Sequence, residues 1–563
     1  MEKQTANEGL AFKAFAGDRS ALLAFDIDPS LKASLAGFAV EYTTPTGDTH
    51  PLVNRLTFSD TITAATTPEQ RQAMYTPTTQ APLQKFHWVH YPGEIESGQY
   101  RYQATAMLFK DGSDDQIEPG PQASLEIALE PPASEHYQLG FTRGYMSSQA
   151  YATRFNNAPF EPSPPTINFD TTPYQAQYEW LGLDARRLIF QFLDEAVADD
   201  QLELDVFAYD LNEPDVLRGL ANLKSRLRLF LDDSDSHIQQ PGKRKPLEVD
   251  AKALLEGSAG TENVKTGHFA RFAHSKVFIQ RRGDTALKVL AGSANFSIRG
   301  LYVQSNNVFV FDDPETAGLY EQAFQQAWTQ PLSAFATSEI AAKWFERTGA
   351  GLPNFAVSFS PHKDATDSLQ RVADAIANAN SSVLFAIMEI GTAGGPVADQ
   401  VRGLPQRHDL FAFGTTQRLD GALKVTAAAD PNSPFIPFGY LQSKVPEPFR
   451  AEVSGGSGQV IHHKFVVCDF NDANPVAFAG SSNLAGGGET ANGDNLVAFS
   501  DREVATAYAV EAIQLIDHYR FRAAQHQATA DAPLRLKTRR EDWTRDYFDP
   551  ASPRYRERAL FVR

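Results

Sequence analysis

The chain has 563 residues, of which 42% are apolar and 21% are charged, a composition typical of a folded globular protein. Its 51 lysines and arginines stand against 69 aspartates and glutamates, a net charge of −18, which argues against nonspecific coating of nucleic acid or an anionic membrane. The single cysteine, Cys468, excludes an intrachain disulfide and suits a reducing compartment.

The first ten residues are polar and mixed in charge, without the basic start and apolar core of a secretory signal. No later segment approaches the roughly 20 consecutive apolar residues that span a bilayer. We therefore expect a soluble protein without a transmembrane segment. Its compartment stays open, either cytoplasmic or exported without a visible signal peptide.

Residues 1–132 are predicted to form an all-β domain. Short segments at 22–28, 38–43, 86–91, 100–109 and 124–129 are rich in β-branched and aromatic residues in partial alternation, and turn signals separate them. Strands at this spacing predict a β-sandwich of the immunoglobulin or fibronectin-III type. We expect it to be a binding or docking module, and its partner is unknown.

The next segment, 133–176, is rich in proline, serine, threonine and asparagine, which predicts a linker or a wrapping arm. Helical and strand patterns then alternate. Helices are predicted at 181–198, 216–224 and 368–380, and buried strands at 202–209, 227–231 and 383–388. This alternation predicts an α/β layer architecture. Residues 526–563 form a C-terminal tail, for which packing across a domain is favoured over substrate contact.

The α/β region contains an internal repeat. Two segments align without a gap over more than thirty residues, with matched positions 188 apart, as from His274 to His462. The matched residues are His274, Lys276, Ser293, Asn295 and Asn307 in the first segment, and His462, Lys464, Ser481, Asn483 and Asn495 in the second. This register indicates a duplicated module, with halves at 177–350 and 351–525.

The repeated residues suit phosphodiester chemistry. In an extended His-x-Lys segment, both side chains lie on one face, and a Gly-Ser turn can bring the motif asparagine to the same place. Two such halves facing each other would supply two cations and two amides for the non-bridging oxygens. One imidazole could then attack phosphorus while the other protonates the leaving oxygen.

The doubled His-x-Lys…Gly-Ser-x-Asn motif resembles the signature of the phospholipase D superfamily, over roughly residues 177–525. The resemblance implies two pseudo-twofold-related α/β/α modules that form one catalytic unit. It also implies metal-independent cleavage through a covalent phosphohistidine, without a cofactor. On this resemblance His274 is the nucleophile and His462 the general acid. The phosphoryl oxygens would be bound by Lys276, Lys464, Asn295 and Asn483, with support from Ser293, Ser481, Asn307 and Asn495.

The two halves depart from the family pattern in one respect that concerns the histidines. The family tends to carry an acid eleven residues after the motif asparagine, where it orients a histidine. Asp494 occupies this position in the second half, but Asn306 occupies it in the first. We expect only one imidazole to receive a carboxylate partner, which would separate the pKa values and roles of the two.

Two substrates remain open. A phospholipase D that releases phospholipid headgroups at a membrane or micelle surface, possibly by transphosphatidylation, is favoured by the acidic balance and by an inserted segment at 391–450 that could form a lid. The alternative is a nuclease of the same superfamily, acting on DNA or RNA. A catalytically inactive scaffold is disfavoured because both motifs are intact. We expect a monomer.

Overall fold

The computed structural model describes residues 1–67, 70, 73–93, 96–390, 394–419, 435–437 and 461–562. About half of the inserted segment 391–450, which the sequence suggests as a lid, lies outside these residues, at 391–393, 420–434 and 438–450. Among the residues that are described, no helix combines the length and apolar character needed to cross a membrane.

The amino-terminal region contains two four-stranded antiparallel sheets. Its strands are β1 (Glu2–Asn7), β2 (Leu10–Ala16), β3 (Ala21–Ile27), β4 (Leu35–Thr43), β5 (Thr49–Pro51), β6 (Val53–Asn54), β7 (Thr76–Pro77), β8 (His87–His90), β9 (Gln99–Phe109) and β10 (Ile117–Ala128). The sheet orders are β1-β2-β3-β8 and β10-β9-β4-β5. Phe25 of the first sheet stacks on Phe38 of the second, with ring centroids 4.5 Å apart. The predicted β-rich region is confirmed, although the polar strand β1 was missed.

Alternating burial explains why these segments are strands. In β9, Tyr100 and Tyr102 are fully buried, whereas Gln99 and Arg101 between and before them are exposed. This period of two places one face of the strand in the core and the other in solvent. The apolar core therefore lies between the two sheets.

Residues 133–499 form two large mixed sheets. The first contains β11 (Ala133–Ser134), β12 (Tyr137–Phe141), β13 (Glu203–Ala208), β14 (Leu227–Leu231), β15 (Val264–Thr266), β17 (Val277–Arg282), β18 (Thr285–Gly292) and β19 (Asn307–Phe311), and the short β16 (Phe272–Ala273) precedes β17. The second contains β20 (Phe345–Arg347), β21 (Phe355–Ser360), β22 (Ser382–Ile390), β23 (Phe411–Leu419), β24 (Phe435–Pro437), β25 (Lys464–Cys468), β26 (Val476–Gly480) and β27 (Asn492–Phe499).

The strand orders of these sheets are β11-β12-β19-β18-β17-β13-β14-β15 and β20-β21-β27-β26-β25-β22-β23-β24. In each sheet the last three strands are parallel and the others antiparallel. The strand β16 belongs to the first half of the chain but pairs with β27 of the second sheet. The two sheets also share an apolar core, in which Phe311 stacks on Phe355 at 4.3 Å between ring centroids.

Eleven α-helices accompany the sheets in the part of the chain that the structure describes. They are α1 (Ser148–Phe155), α2 (Gln175–Ala198, interrupted at Leu183), α3 (Pro214–Leu223), α4 (Leu247–Ala259), α5 (Ile298–Tyr302), α6 (Pro314–Thr329), α7 (Thr366–Ala377), α8 (Pro396–Gly403), α9 (Gly486–Glu489), α10 (Arg502–Gln527) and α11 (Pro553–Val562). Helix α2 packs on β12 and β19, α6 on β17 and β18, and α10 on β22, β23, β25 and β26. The predicted mixed α/β class is confirmed.

One strand formed where the sequence predicted a linker. Within the segment 133–176, β12 pairs with β19 of the first sheet. Tyr137, Leu139 and Phe141 are buried, because their alternation gives β12 one apolar face. The proline-rich composition that follows obscured this short strand.

The C-terminal tail packs on the amino-terminal sheets. Trp543 lies in their core, and its indole N–H donates to the carbonyl of Leu35 at 2.9 Å. A buried His87 on β8 lies 2.9 Å from Asp517 of α10 and 2.9 Å from Glu557 of α11. Burial opposes the charge on His87, but the two carboxylates raise its pKa to about 9. This ion cluster joins the first sheet, α10 and the tail.

Candidate active site

The two motif histidines lie side by side between the large sheets. The ring centroids of His274 and His462 are 6.4 Å apart, and both side chains are buried. The backbone N–H of His274 donates to the carbonyl of Gly493 at 2.9 Å, and that of His462 donates to the carbonyl of Ser305 at 3.3 Å. Each histidine is thus attached to the half of the chain that does not contain it.

These backbone bonds also explain a departure from the sequence prediction. The strand was expected to include His-x-Lys, but β17 begins at Val277, after the motif lysine. The residues just before His274 pair with β27 of the second sheet instead. The motif is therefore a crossing point between sheets rather than the interior of one strand.

The two imidazoles have unequal partners. Nδ1 of His274 lies 2.8 Å from Oδ1 of Asp494, whereas Nδ1 of His462 lies 2.9 Å from Oδ1 of Asn306 and 3.1 Å from the carbonyl of Ser293. All three acceptors call for the proton to be on Nδ1. Nε2 of each ring is then the nitrogen with a lone pair for a substrate.

Burial lowers the pKa of both rings. For His274, burial and Lys276 lower the pKa, against the opposing charge of Asp494. For His462, burial, Lys464 and Lys276 lower it well below the usual value. Both histidines are therefore neutral at neutral pH, which is the state that a nucleophilic imidazole needs.

The motif lysines are fully buried, and each contacts the backbone of its own motif histidine. Nζ of Lys276 donates to the carbonyl of His274, and Nζ of Lys464 donates to that of His462 at 2.5 Å. Burial lowers the pKa of Lys276 to about 8 and that of Lys464 well below its usual value. A bound anion would reverse this shift, because it supplies the counter-charge that the site lacks.

The motif asparagines and the motif serine of the first half differ in their hydrogen-bond partners. Asn295 donates through Nδ2 to Asp210 at 2.6 Å, and the side-chain oxygens of Asn295 and Asn483 have no partner among the described residues. Ser293 donates through Oγ to Asn306 at 2.8 Å, the same amide oxygen that holds His462. The serine therefore orients a histidine through Asn306 rather than facing the substrate.

The remaining predicted residues lie behind the site. Asn307 lies 3.4 Å from Nδ1 of His463, and Nδ2 of Asn495 donates to Ser481 at 3.3 Å. Gly480 has a φ of +147°, and a Cβ there would lie 2.4 Å from the carbonyl oxygen of Asn495. Only glycine permits this close approach, so the Gly-Ser turn and Asn495 form one packed unit.

Sequence reasoning missed a chain of polar residues beside the first motif. Asp210, which accepts from Asn295, also lies 2.9 Å from Nε2 of His237, whose Nδ1 lies 2.8 Å from Asp232. Asp232 in turn accepts from the backbone N–H of Ala273 at 2.6 Å. Burial opposes charge on His237, but its two carboxylate partners raise its pKa to about 10. These hydrogen-bonded residues thus link the motif asparagine to the residue before His274.

A signal in the sequence could have revealed two of these polar residues, Asp210 and Asp232. Asp232 directly follows β14, and Asp210 stands two residues after the adjacent parallel strand β13. The carboxyl ends of parallel strands are where α/β proteins collect functional side chains. Tyr209 directly precedes Asp210 in the sequence. Its ring centroid lies 4.9 Å from that of His274 and 5.0 Å from Nζ of Lys276.

Comparisons with known proteins bear on the family. Residues 191–328 match the family model of the phospholipase D-like domain of cardiolipin synthase. No curated protein shows a significant match to the chain. Among solved structures, a phosphatidylserine synthase from Haemophilus influenzae is 12% identical with a TM-score of 0.38, and the match covers 66% of this chain and 89% of that one.

Two further structures show how far the likeness extends. Polyphosphate kinase from Porphyromonas gingivalis is 10% identical with a TM-score of 0.38, and the match covers 60% of this chain but only 48% of the kinase. The phospholipase D family member Nuc from Salmonella typhimurium is 23% identical with a TM-score of 0.21, over 26% of this chain and 88% of Nuc. The chain thus spans about half the length of the kinase.

Proposed function

Since this chain is a member of the phospholipase D superfamily, we propose that it cleaves phosphodiesters through a covalent phosphohistidine on His274. The observation that carries the proposal is the unequal pairing of the two histidines. A buried carboxylate, Asp494, lies on His274, whereas the amide of Asn306 lies on His462. This difference supports separate roles for the two rings, which lie 6.4 Å apart.

In the first step, the lone pair on Nε2 of His274 attacks phosphorus. The P–O bond to the leaving alcohol breaks, and that oxygen takes a proton from Nε2 of His462. The phosphorylated ring of His274 carries positive charge, which the hydrogen-bonded carboxylate of Asp494 stabilises. An anionic phosphate beside His462 raises the pKa of this ring when substrate binds, so His462 can bring the proton that the leaving oxygen needs.

In the second step, His462 returns to its neutral form and acts as a base. Its Nε2 takes a proton from water, or from an acceptor alcohol in transphosphatidylation, and the oxygen attacks phosphorus. The P–N bond breaks and returns the electron pair to His274. Lys276 and Lys464 balance the charge on the non-bridging oxygens in both steps, with amide donors from Asn295 and Asn483. No metal is required at phosphorus.

We infer that the two halves of this site are copies of one module. Two observations support this: the motif residues repeat at a constant spacing of 188, and the two large sheets share one order of strand directions. A pseudo-twofold relation would place His274 and His462 at equivalent positions. Because one chain supplies both halves, a monomer is sufficient for activity.

We propose a phospholipid as the substrate, met at a membrane or micelle surface. The protein carries a charge of −18, and the partly exposed Asp210 lies at the site, with Asp233 one residue beyond Asp232. Such carboxylates repel a long polyanion more than a single phosphodiester, because nucleic acid presents many phosphates to the same surface. Cleavage of DNA or RNA is the second candidate, because the same chemistry at phosphorus would act on a nucleic-acid phosphodiester.

A parallel assay tests both substrates. The full chain, in EDTA, is offered phosphatidylcholine or phosphatidylethanolamine vesicles and, separately, single- and double-stranded DNA. Headgroup release without DNA cleavage supports the lipid assignment, and the reverse supports the nuclease. The double variant His274→Ala, His462→Ala should lose all activity. If this variant stays active, the proposed site is wrong.

A further inference from the structure

Three side chains with metal-ligand chemistry lie together beside the first motif. The nitrogen and oxygen atoms that Asp210, His237 and Glu248 could offer to one ion all lie within 4.8 Å of one another. His237 and Glu248 are buried, and Asp210 is 27% exposed. We propose that this cluster binds one divalent transition-metal ion, and that Zn²⁺ fits its donors best.

The donor set supports Zn²⁺ over the harder cations. Zn²⁺ is commonly bound by imidazole nitrogen together with carboxylate oxygen, and three protein ligands leave a fourth position for water. Ca²⁺ and Mg²⁺ prefer sites made of oxygen alone. One imidazole and two carboxylates match the first pattern.

Each ligand is anchored through a second atom, as metal ligands in proteins usually are. His237 reaches Asp232 through Nδ1 at 2.8 Å, which leaves Nε2 for the ion. Asp210 accepts from Asn295 through Oδ2 at 2.6 Å, which leaves Oδ1. Glu248 accepts through Oε1 from Asn212 at 3.0 Å. These bonds orient all three side chains, and those of His237 and Asp210 do not use the two atoms that face each other, Nε2 and Oδ1.

The spacing is close to that of a metal site. Nε2 of His237 and Oδ1 of Asp210 lie 2.9 Å apart. Two ligands of a tetrahedral Zn²⁺, at bond lengths of about 2.0–2.1 Å, are separated by about 3.3 Å. An outward movement of about 0.4 Å therefore gives this pair the separation of two ligands of one tetrahedral ion, which would take the place of the proton between them.

The ion would hold residues beside the site in place and would not contact the phosphorus atom or its oxygens. Asp210 holds Asn295, and Asp232 holds the backbone of Ala273 next to His274. A metal that fixes Asp210 and His237 would fix these contacts as well. The inference rests on ligand geometry and stands apart from the proposed phosphodiesterase activity, because its test needs no substrate.

The test measures Zn²⁺ bound to the full chain. Protein stripped with a chelator is dialysed against ZnCl₂, and the metal is counted by mass spectrometry. We expect one Zn²⁺ per chain in the wild type and less than one-tenth in His237→Gln and Glu248→Gln. His268→Gln is the matched control, because His268 forms an exposed pair with Asp233 near the site; it should bind as the wild type does.

A wild type with less than one-tenth equivalent overturns the proposal, since a proton then suffices between His237 and its carboxylates. Equal binding by all three variants overturns it too. Circular dichroism checks that each variant folds. Should a variant unfold, Co²⁺ added to the wild type decides the question: visible bands of a four-coordinate site support the proposal, and the spectrum of hydrated Co²⁺ alone contradicts it.

Discussion

Replacing Asp494 by asparagine should slow phosphodiester cleavage by about three orders of magnitude. Attack by Nε2 of His274 leaves an imidazolium, and the carboxylate of Asp494, 2.8 Å from Nδ1, balances that charge in a buried site. Two charges about 4 Å apart interact by about 4 kcal/mol at an effective dielectric constant of about 20. A loss of about 4 kcal/mol in the transition state corresponds to about a thousandfold in rate.

The pH dependence gives a second reading of the same variant. Asp494 raises the pKa of His274 against burial and Lys276, so its removal lowers this pKa further. The acidic limb of the kcat/KM profile, which reports loss of the proton from the free nucleophile, should therefore move to lower pH. The covalent intermediate is measured separately. Substrate that carries a radioactive phosphorus label is mixed with the enzyme, the reaction is quenched with alkali, and the label retained on the protein gives the amount of phosphohistidine.

Two variants serve as controls. Asn306→Asp gives His462 the carboxylate that it lacks, which should raise the pKa of His462 and move the basic limb to higher pH. Asp284→Asn removes an exposed carboxylate at another position and should change neither limb. A rate for Asp494→Asn within threefold of the wild type, with an unmoved acidic limb, would refute the assignment of His274 as the nucleophile.

Three further predictions concern stability. Gly480→Ala should lower the free energy of unfolding by about 2–3 kcal/mol, seen as a lower urea midpoint, because its Cβ meets the carbonyl of Asn495; an unchanged midpoint would contradict this packing. Because the pKa of His87 is raised to about 9, its ion cluster stabilises the fold fully below pH of about 6.5 and is lost as pH rises through about 9, a change of about 3 kcal/mol. His87→Gln should lack this slope in denaturation measured across pH, and a parallel slope would exclude the cluster as its source. Trp543→Ala should cost about 3 kcal/mol while leaving kcat unchanged well below the melting temperature, and a fall in kcat would place the tail at the site.

The sequence predicted the elements that have a local pattern. The strand at 227–231 was predicted at its observed bounds. The helix predicted at 181–198 ends where the observed helix ends but begins six residues later than the observed start at Gln175. The helix buries residues at helical spacing, and the strand is a short apolar run that is buried almost throughout. The polar strand β1 lacks such a pattern, because all but one of its residues are exposed, and its pairing with β2 alone defines it.

The candidate site was predictable where residues repeat and not where they converge from a distance. A fixed spacing identifies His274 and His462 without any structure. His237 has no counterpart in the repeat, and its partner Asp210 lies 27 residues away, so no local pattern joins them. The sequence likewise predicted one carboxylate for one imidazole, but the choice of His274 for Asp494 depends on how the sheets face each other.

The crossed attachment of the motifs makes the docking of the two sheets a condition for chemistry. Because the backbone of His274 is bonded to Gly493 and that of His462 to Ser305, neither ring has its working position until the other half of the chain has folded against it. Either half alone then carries a histidine without its polar partner, which is Asp494 for His274 and Asn306 for His462, and without the second lysine. By the proposed mechanism, phosphoryl transfer would therefore begin only when the two halves have folded together, and neither half would act on a phosphodiester before that point.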